Sequence, residues 1–137
     1  MAGSLAVLHV DDDQDFLELL KQLLEKGFAG ISITSVPNPA LGLQLLEDGK
    51  FDAVISDYQM REMTGLELLE KLRKKGSSIP FIMLTGKGRE EIAVQALKLG
   101  ADYYLEKGSN SKALFTTLEH FLLKIAEKNM ANMVSEV

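Results

Sequence analysis

The sequence predicts an α/β fold, a doubly wound five-stranded parallel sheet with five helices on both faces. Three observations carry that prediction. Five short apolar runs alternate with five amphipathic stretches, the pattern of repeated strand–helix–strand units. The runs are apolar at nearly every position, as in strands covered on both sides. Glycines at 27, 49, 76 and 100 stand where four of the helical patterns stop.

Taken in order, Leu5 to Val10 is the first strand, interrupted by His9 and closed by Asp11-Asp12-Asp13. His9 reads as a hydrogen-bonded core or rim histidine. Asp13 is placed to cap the helix that follows, because its side chain can accept a free amide there and anions favour helix N-termini. That helix turns Phe16, Leu20, Leu23 and Leu24 to one face. Ile31 to Val36 is the second strand. Asn38-Pro39 then gives an N-cap and a first-turn proline to a helix carrying Leu41, Leu45 and Leu46. Phe51 to Ser56 is the third strand and delivers Asp57 at its end. Thr64 and Glu67 form a capping box for a helix through Leu68, Leu69 and Leu72. Ile79 to Leu84 is the fourth strand, with Pro80 at its start and Thr85-Gly86 at its end. A helix with Ile92, Ala96 and Leu97 follows. Ala101 to Leu105 is the fifth strand, leading to Lys107-Gly108, and the last helix carries Leu114, Leu118, Phe121, Leu122 and Ile125.

At 137 residues the chain suits one domain with a real core, expected over residues 1–126 with residues 1–4 outside the fold. Residues 127–137 read as a helical extension or linker. There Ala126, Met130, Met133 and Val137 continue an apolar stripe, the start of a seam for a second helix. A formal charge of -5 argues against a nucleic-acid grip. The absence of cysteine excludes disulfides and thiolate metal sites and suits a reducing cytoplasm. No basic-then-apolar leader is present, and no apolar run approaches the ~18 residues of a membrane span.

Parallel strands put every carboxyl end on one rim, where open α/β sheets keep their sites. Asp11, Asp12, Asp57, Thr85 and Lys107 therefore converge. Carboxylates so gathered repel by roughly 4 kcal/mol for a pair about 4 Å apart, unless they take up protons or a cation. An all-oxygen site with open positions suits Mg²⁺. Thr85 can donate a hydrogen bond to a phosphoryl oxygen, and Lys107 can pair with a carboxylate or with that group. A carboxylate nucleophile, a metal and two donors are the parts needed to form an aspartyl phosphate.

Val10-Asp11-Asp12-Asp13, Ile55-Ser56-Asp57-Tyr58-Gln59-Met60, Met63-Thr64-Gly65, Leu84-Thr85-Gly86 and Gly100-Ala101-Asp102-Tyr103-Tyr104-Leu105-Glu106-Lys107 occur in this order. Together, over about residues 5 to 126, the chain resembles the CheY-like receiver domain of two-component response regulators. The resemblance implies a flavodoxin-like sheet of order 2-1-3-4-5. It also implies that Asp57 is the phosphoacceptor. Asp12 would bind Mg²⁺ directly, Asp11 through water, and the Gln59 main-chain carbonyl would be a further ligand. Thr85 and Lys107 would read the phosphoryl group. Tyr104 would be the aromatic switch, with Tyr103 on the opposite face, and Gln59 and Lys87 would tune the lifetime of the phosphorylated state.

The partners implied are a histidine kinase or phosphotransfer protein, and an effector met through the surface of the fourth helix, fifth strand and fifth helix. No external substrate is expected to be turned over, and no nucleic acid or membrane to be bound. A weak homodimer is compatible with the tail. Gly108 stands where the family commonly has proline, and so does Arg61, which predicts looser loops. Two rivals share the parts. A haloacid-dehalogenase-like phosphatase needs a further acidic cluster after the lysine, and more chain. A receiver that only docks partners, without accepting phosphate, is compatible with the same residues.

Overall fold

The computed structural model describes residues 4–86, 89–108 and 110–135, with 133–135 as backbone alone. Strands and helices alternate strictly: β1 (Leu5–Val10), α1 (Gln14–Gly27), β2 (Ile31–Val36), α2 (Pro39–Glu47), β3 (Ala53–Asp57), α3 (Gly65–Lys74), β4 (Phe81–Thr85), α4 (Glu90–Lys98), β5 (Tyr103–Glu106) and α5 (Ser111–Ser135). Every strand pairing is parallel, and the sheet order is β2-β1-β3-β4-β5. This is the predicted fold class and strand order.

The side-chain period of two splits the strands between two cores. Val7, Ile33, Ile55, Ile82 and Leu84 face α1 and α5, where they meet Leu20, Leu24, Leu118 and Leu122. Leu8, Val10, Val54, Phe81 and Met83 face the other helices and meet Leu68, Leu69, Leu72 and Ala96. Burying each such leucine stabilises the fold by about 1.5–3 kcal/mol. Tyr103 joins the first core and Tyr104 the second, as neighbours on a strand must.

Three strands start later than the apolar runs suggest: β3 at Ala53, β4 at Phe81 and β5 at Tyr103. For two of them the cause is an aspartate just ahead of the strand. Asp52 donates its amide to Ala6 O at 2.7 Å, while its carboxylate accepts from Ala6 N at 2.8 Å. Asp102 does the same with Phe81, at 2.9 and 2.8 Å. In each case a side-chain oxygen takes the place of the next main-chain carbonyl. At the other end, β3 and β4 reach one residue further than expected and include Asp57 and Thr85.

Helix caps match the sequence. Asp13, Asn38 and Thr64 accept from the amides of Phe16, Leu41 and Glu67, and the Thr64–Glu67 box is reciprocal. The inner faces need correction. On α1 the buried residues are Leu17, Leu20 and Leu24, while Leu23 is exposed; on α4 Ile92 and Ala96 are buried and Leu97 is exposed. Leu23 and Leu97 each follow or precede a buried residue by one step, which turns them about 100° away from it. Leu41 on α2 is exposed as well, because Pro39 and Gly42 fill the contact with the sheet. α5 runs unbroken to Ser135. The Met133 side chain and Val137, two members of the tail stripe, lie outside the described residues, as do Met1 to Gly3.

Candidate functional site

The carboxyl rim gathers the acids. Asp11 follows β1 and is fully buried, Asp12 is exposed, and Asp57 ends β3 nearly buried. Oxygens from all three carboxylates lie within 4.8 Å of one another. Lys107, one residue past β5, is drawn in by its amide, which donates to Thr85 O at 2.7 Å. Its ammonium donates to Asp11 Oδ2 at 2.9 Å and sits 3.5 Å from Asp57 Oδ1. Asp11 is fixed from the other side by the Asp13 amide, which donates to its Oδ1 at 2.9 Å.

Burial dominates the electrostatics. It pushes the Asp57 carboxyl up to about 6, against the pull of the Lys107 charge and with the help of Asp11. Burial also raises Asp11, opposed mainly by its hydrogen bond to Lys107. For Lys107 burial works downward, but the hydrogen bond and charge of Asp11, then Asp57, outweigh it and the net shift is upward. Three carboxylates against one ammonium leave the rim short of positive charge. A hard divalent cation, bound by carboxylate oxygen with water in the open positions, matches that donor set.

Thr85 ends β4 with its hydroxyl turned to Tyr104. The two hydroxyl oxygens are 2.7 Å apart, Thr85 Oγ1 also lies 3.0 Å from Gly86 O, and Tyr104 Oη donates to Arg89 O at 2.9 Å. Gln59, two residues past Asp57, accepts from Arg89 Nη2 through its side chain at 3.0 Å. The predicted residues Asp11, Asp12, Asp57 and Lys107 thus share one cluster, while Thr85, Tyr104 and Gln59 form a neighbouring one linked through Arg89. Lys87 lies outside the described residues.

His9 corrects one expectation. It is fully buried, as a core histidine should be, but among the described residues neither ring nitrogen has a hydrogen-bond partner. Burial, aided by the Lys107 charge, lowers it to about 3, so the 4.0 Å approach of Nε2 to Asp11 Oδ2 is a contact of a neutral ring and no ion pair.

Two glycines shape the backbone next to the rim. Gly65 donates its amide to Tyr58 O at 2.7 Å, and a Cβ there would collide with the main-chain oxygen of Asp57 and lie 2.7 Å from Met83 Sδ. Gly108 has φ +59°, a left-handed conformation closed to proline. The turn after Lys107 therefore has a backbone that glycine adopts without strain and proline cannot.

Two residues at the rim were not legible as such. Phe16 reads in the sequence as core packing, yet Lys107 Nζ lies 4.3 Å from its ring centroid. Helix geometry held the signal: with Asp13 as N-cap, residue 16 sits in the first turn, over the rim. Arg89 gave none, because its partners Gln59 and Tyr58 are some thirty residues away in sequence.

The family model for the response regulator receiver domain matches residues 7–119. The response regulator SaeR of Staphylococcus epidermidis is 29% identical over 131 residues, which cover 96% of this chain and 56% of SaeR. The chain thus spans little more than half of that relative. An uncharacterised 14.6 kDa protein of Leptolyngbya boryana is 37% identical over 119 residues, covering 85% of this chain and 89% of that protein. Among solved structures, the receiver domain of the Francisella response regulator 1452 superposes with a TM-score of 0.82 at 26% identity, covering 92% of this chain and 99% of that one.

Proposed function

Because the chain belongs to the response regulator receiver family, the phosphoryl-accepting modules of two-component signalling, we propose that it is switched by phosphorylation of Asp57. The observation that carries this reading is the Lys107 ammonium between Asp11 and Asp57, at 2.9 and 3.5 Å, beside three carboxylates within 4.8 Å.

The donor is the phosphohistidine of a histidine kinase or phosphotransfer protein. An Asp57 oxygen attacks phosphorus, the phosphorus–nitrogen bond breaks, and the imidazole leaves with a proton from solvent. Asp12 and Asp57, the Gln59 carbonyl, and Asp11 through water are the residues that would hold Mg²⁺. The ion would neutralise charge on the carboxylates and the incoming phosphoryl group. Lys107 pairs with the new phosphoryl oxygens, and Thr85 donates a hydrogen bond to one of them. Thr85 and Tyr104 then rearrange together, and the α4–β5–α5 surface passes the change to an effector. Gln59 and Lys87 flank the path of the attacking water and set the lifetime. No external substrate is turned over, the setting is cytoplasmic, and α5 supports at most a weak homodimer. Among the described residues no helix is long and apolar enough to cross a membrane.

The test is transfer of label from a small phosphodonor, such as phosphoramidate, in the presence of Mg²⁺. The parent chain should take up one phosphoryl group, and Asp57→Asn or chelation of the metal should abolish uptake. Label retained in Asp57→Asn overturns the assignment. A parent that takes none is the docking module instead.

A further inference from the structure

Arg89 is the residue immediately before α4, in the N-cap position, and its side chain makes no capping bond. A cation at a helix N-terminus opposes the helix dipole, so α4's own stability does not account for an arginine there. Its contacts across the rim do. The guanidinium donates to Gln59 Oε1 at 3.0 Å and lies 5.6 Å from the centroid of the Tyr58 ring. The main-chain oxygen accepts from Tyr104 Oη at 2.9 Å and from the Ile92 amide at 3.0 Å. One residue therefore joins three things: the loop behind Asp57 by its side chain, the Thr85–Tyr104 pair by its carbonyl, and the first turn of α4.

We propose that Arg89 is a positioning residue that clamps the start of α4 to the loop after β3. The clamp holds the Tyr104 hydroxyl inward against Thr85 and screens the Asp57 acyl phosphate from water. This rests on the Asp57 reading. In the step it slows, a water oxygen attacks phosphorus, the bond from phosphorus to the Asp57 oxygen breaks, and Asp57 leaves as carboxylate with inorganic phosphate and a proton released. The guanidinium–amide bond is charge-assisted, and the same group also lies over the Tyr58 ring; a lysine keeps the charge but lacks the planar fork that can serve both contacts at once.

The experiment loads the parent, Arg89→Ala, Arg89→Lys, Gln59→Ala and the Gln59→Ala, Arg89→Ala double variant with phosphoramidate and Mg²⁺, then follows loss of label after donor is removed. Tyr104 ring resonances are recorded in parallel on the unphosphorylated proteins. Arg89→Ala should lose phosphate roughly threefold to tenfold faster, the effect of one hydrogen bond weakened by its exposure to solvent. Arg89→Lys should recover part of the difference, Gln59→Ala should add nothing once Arg89 is gone, and the Tyr104 signals should shift in Arg89→Ala. Unchanged loss of label in Arg89→Ala overturns the clamp, as do additive effects of the two substitutions or an unmoved Tyr104. If the parent takes no label, the Asp57 reading falls, and the Tyr104 resonances alone decide whether Arg89 holds that ring.

Discussion

The ammonium of Lys107 rests 4.3 Å from the centre of the Phe16 ring while it pairs with Asp11 at 2.9 Å and Asp57 at 3.5 Å. An aromatic face attracts a cation by about 0.5–2 kcal/mol, more as the site dries. Phe16 also stacks with Phe115 of α5, ring centroids 6.2 Å apart, which limits its own movement. Phe16→Leu should therefore slow phosphoryl uptake from a small donor by roughly threefold or more while leaving the melting temperature within a few degrees. Equal uptake by the two proteins would remove Phe16 from the site.

Asp57 is ionised at a cost to the fold. Its folded pKa is raised from 3.8 to about 6, so the native state holds the proton more tightly than the unfolded chain. Stability from this group is full below the unfolded value, falls as pH rises through that window, and stays lost at neutral pH. In chelator at pH 7, Asp57→Asn should be more stable than the parent by about 1–2 kcal/mol after discounting for its partial exposure. Excess Mg²⁺ should raise the melting temperature of the parent and not that of the variant.

His9 has the opposite sign. A histidine lowered from 6.5 to about 3 stays neutral in the fold while the unfolded chain takes a proton. Its contribution is complete above the unfolded value and drains away as pH falls from 6.5 towards 3. Urea titrations of His9→Leu across that range should lack this acid-side loss. A variant as acid-sensitive as the parent in this window would assign the loss elsewhere.

Gly65 tests the support beneath Asp57. Gly65→Ala drives a methyl into the Asp57 carbonyl and towards Met83, both in the buried core. A loss of about 1–3 kcal/mol is expected, together with weaker Mg²⁺ binding as β3's end is displaced. Wild-type metal affinity in a destabilised variant would separate packing from the site.

Asp102 tests the strand ends. Asp102→Ala leaves the Phe81 amide without its 2.8 Å acceptor and should cost about 1–3 kcal/mol. Asp102→Asn, which keeps an acceptor oxygen, should recover most of it in the same denaturation assay.

Much of the fold was legible because alternation, caps and stop signals agree. Asp13, Asn38 and Thr64 cap as local chemistry requires. The acidic cluster and Lys107 were legible for a different reason, since strand polarity alone sends them to one edge. What the sequence concealed is lateral. Leu23 and Leu97 differ from their buried neighbours only by one helical step, which periodicity in a short helix resolves poorly. The delayed starts of β3 and β5 depend on carboxylates bonding amides 46 and 21 residues away. Arg89 depends on a contact across 30 residues, and no local pattern announces it.

Aspartate thus does two unlike jobs at opposite edges of one sheet. Asp52 and Asp102 each tie an oxygen to a main-chain amide of a neighbouring strand, whereas Asp57 turns its carboxylate towards Lys107 and the other acids of the rim. The quiet edge can act as an anchor while charge comes and goes at the other. A signal written on such a molecule can stay confined to the loops of the working edge and the helix faces they carry, and the sheet between need not be rebuilt each time it is erased.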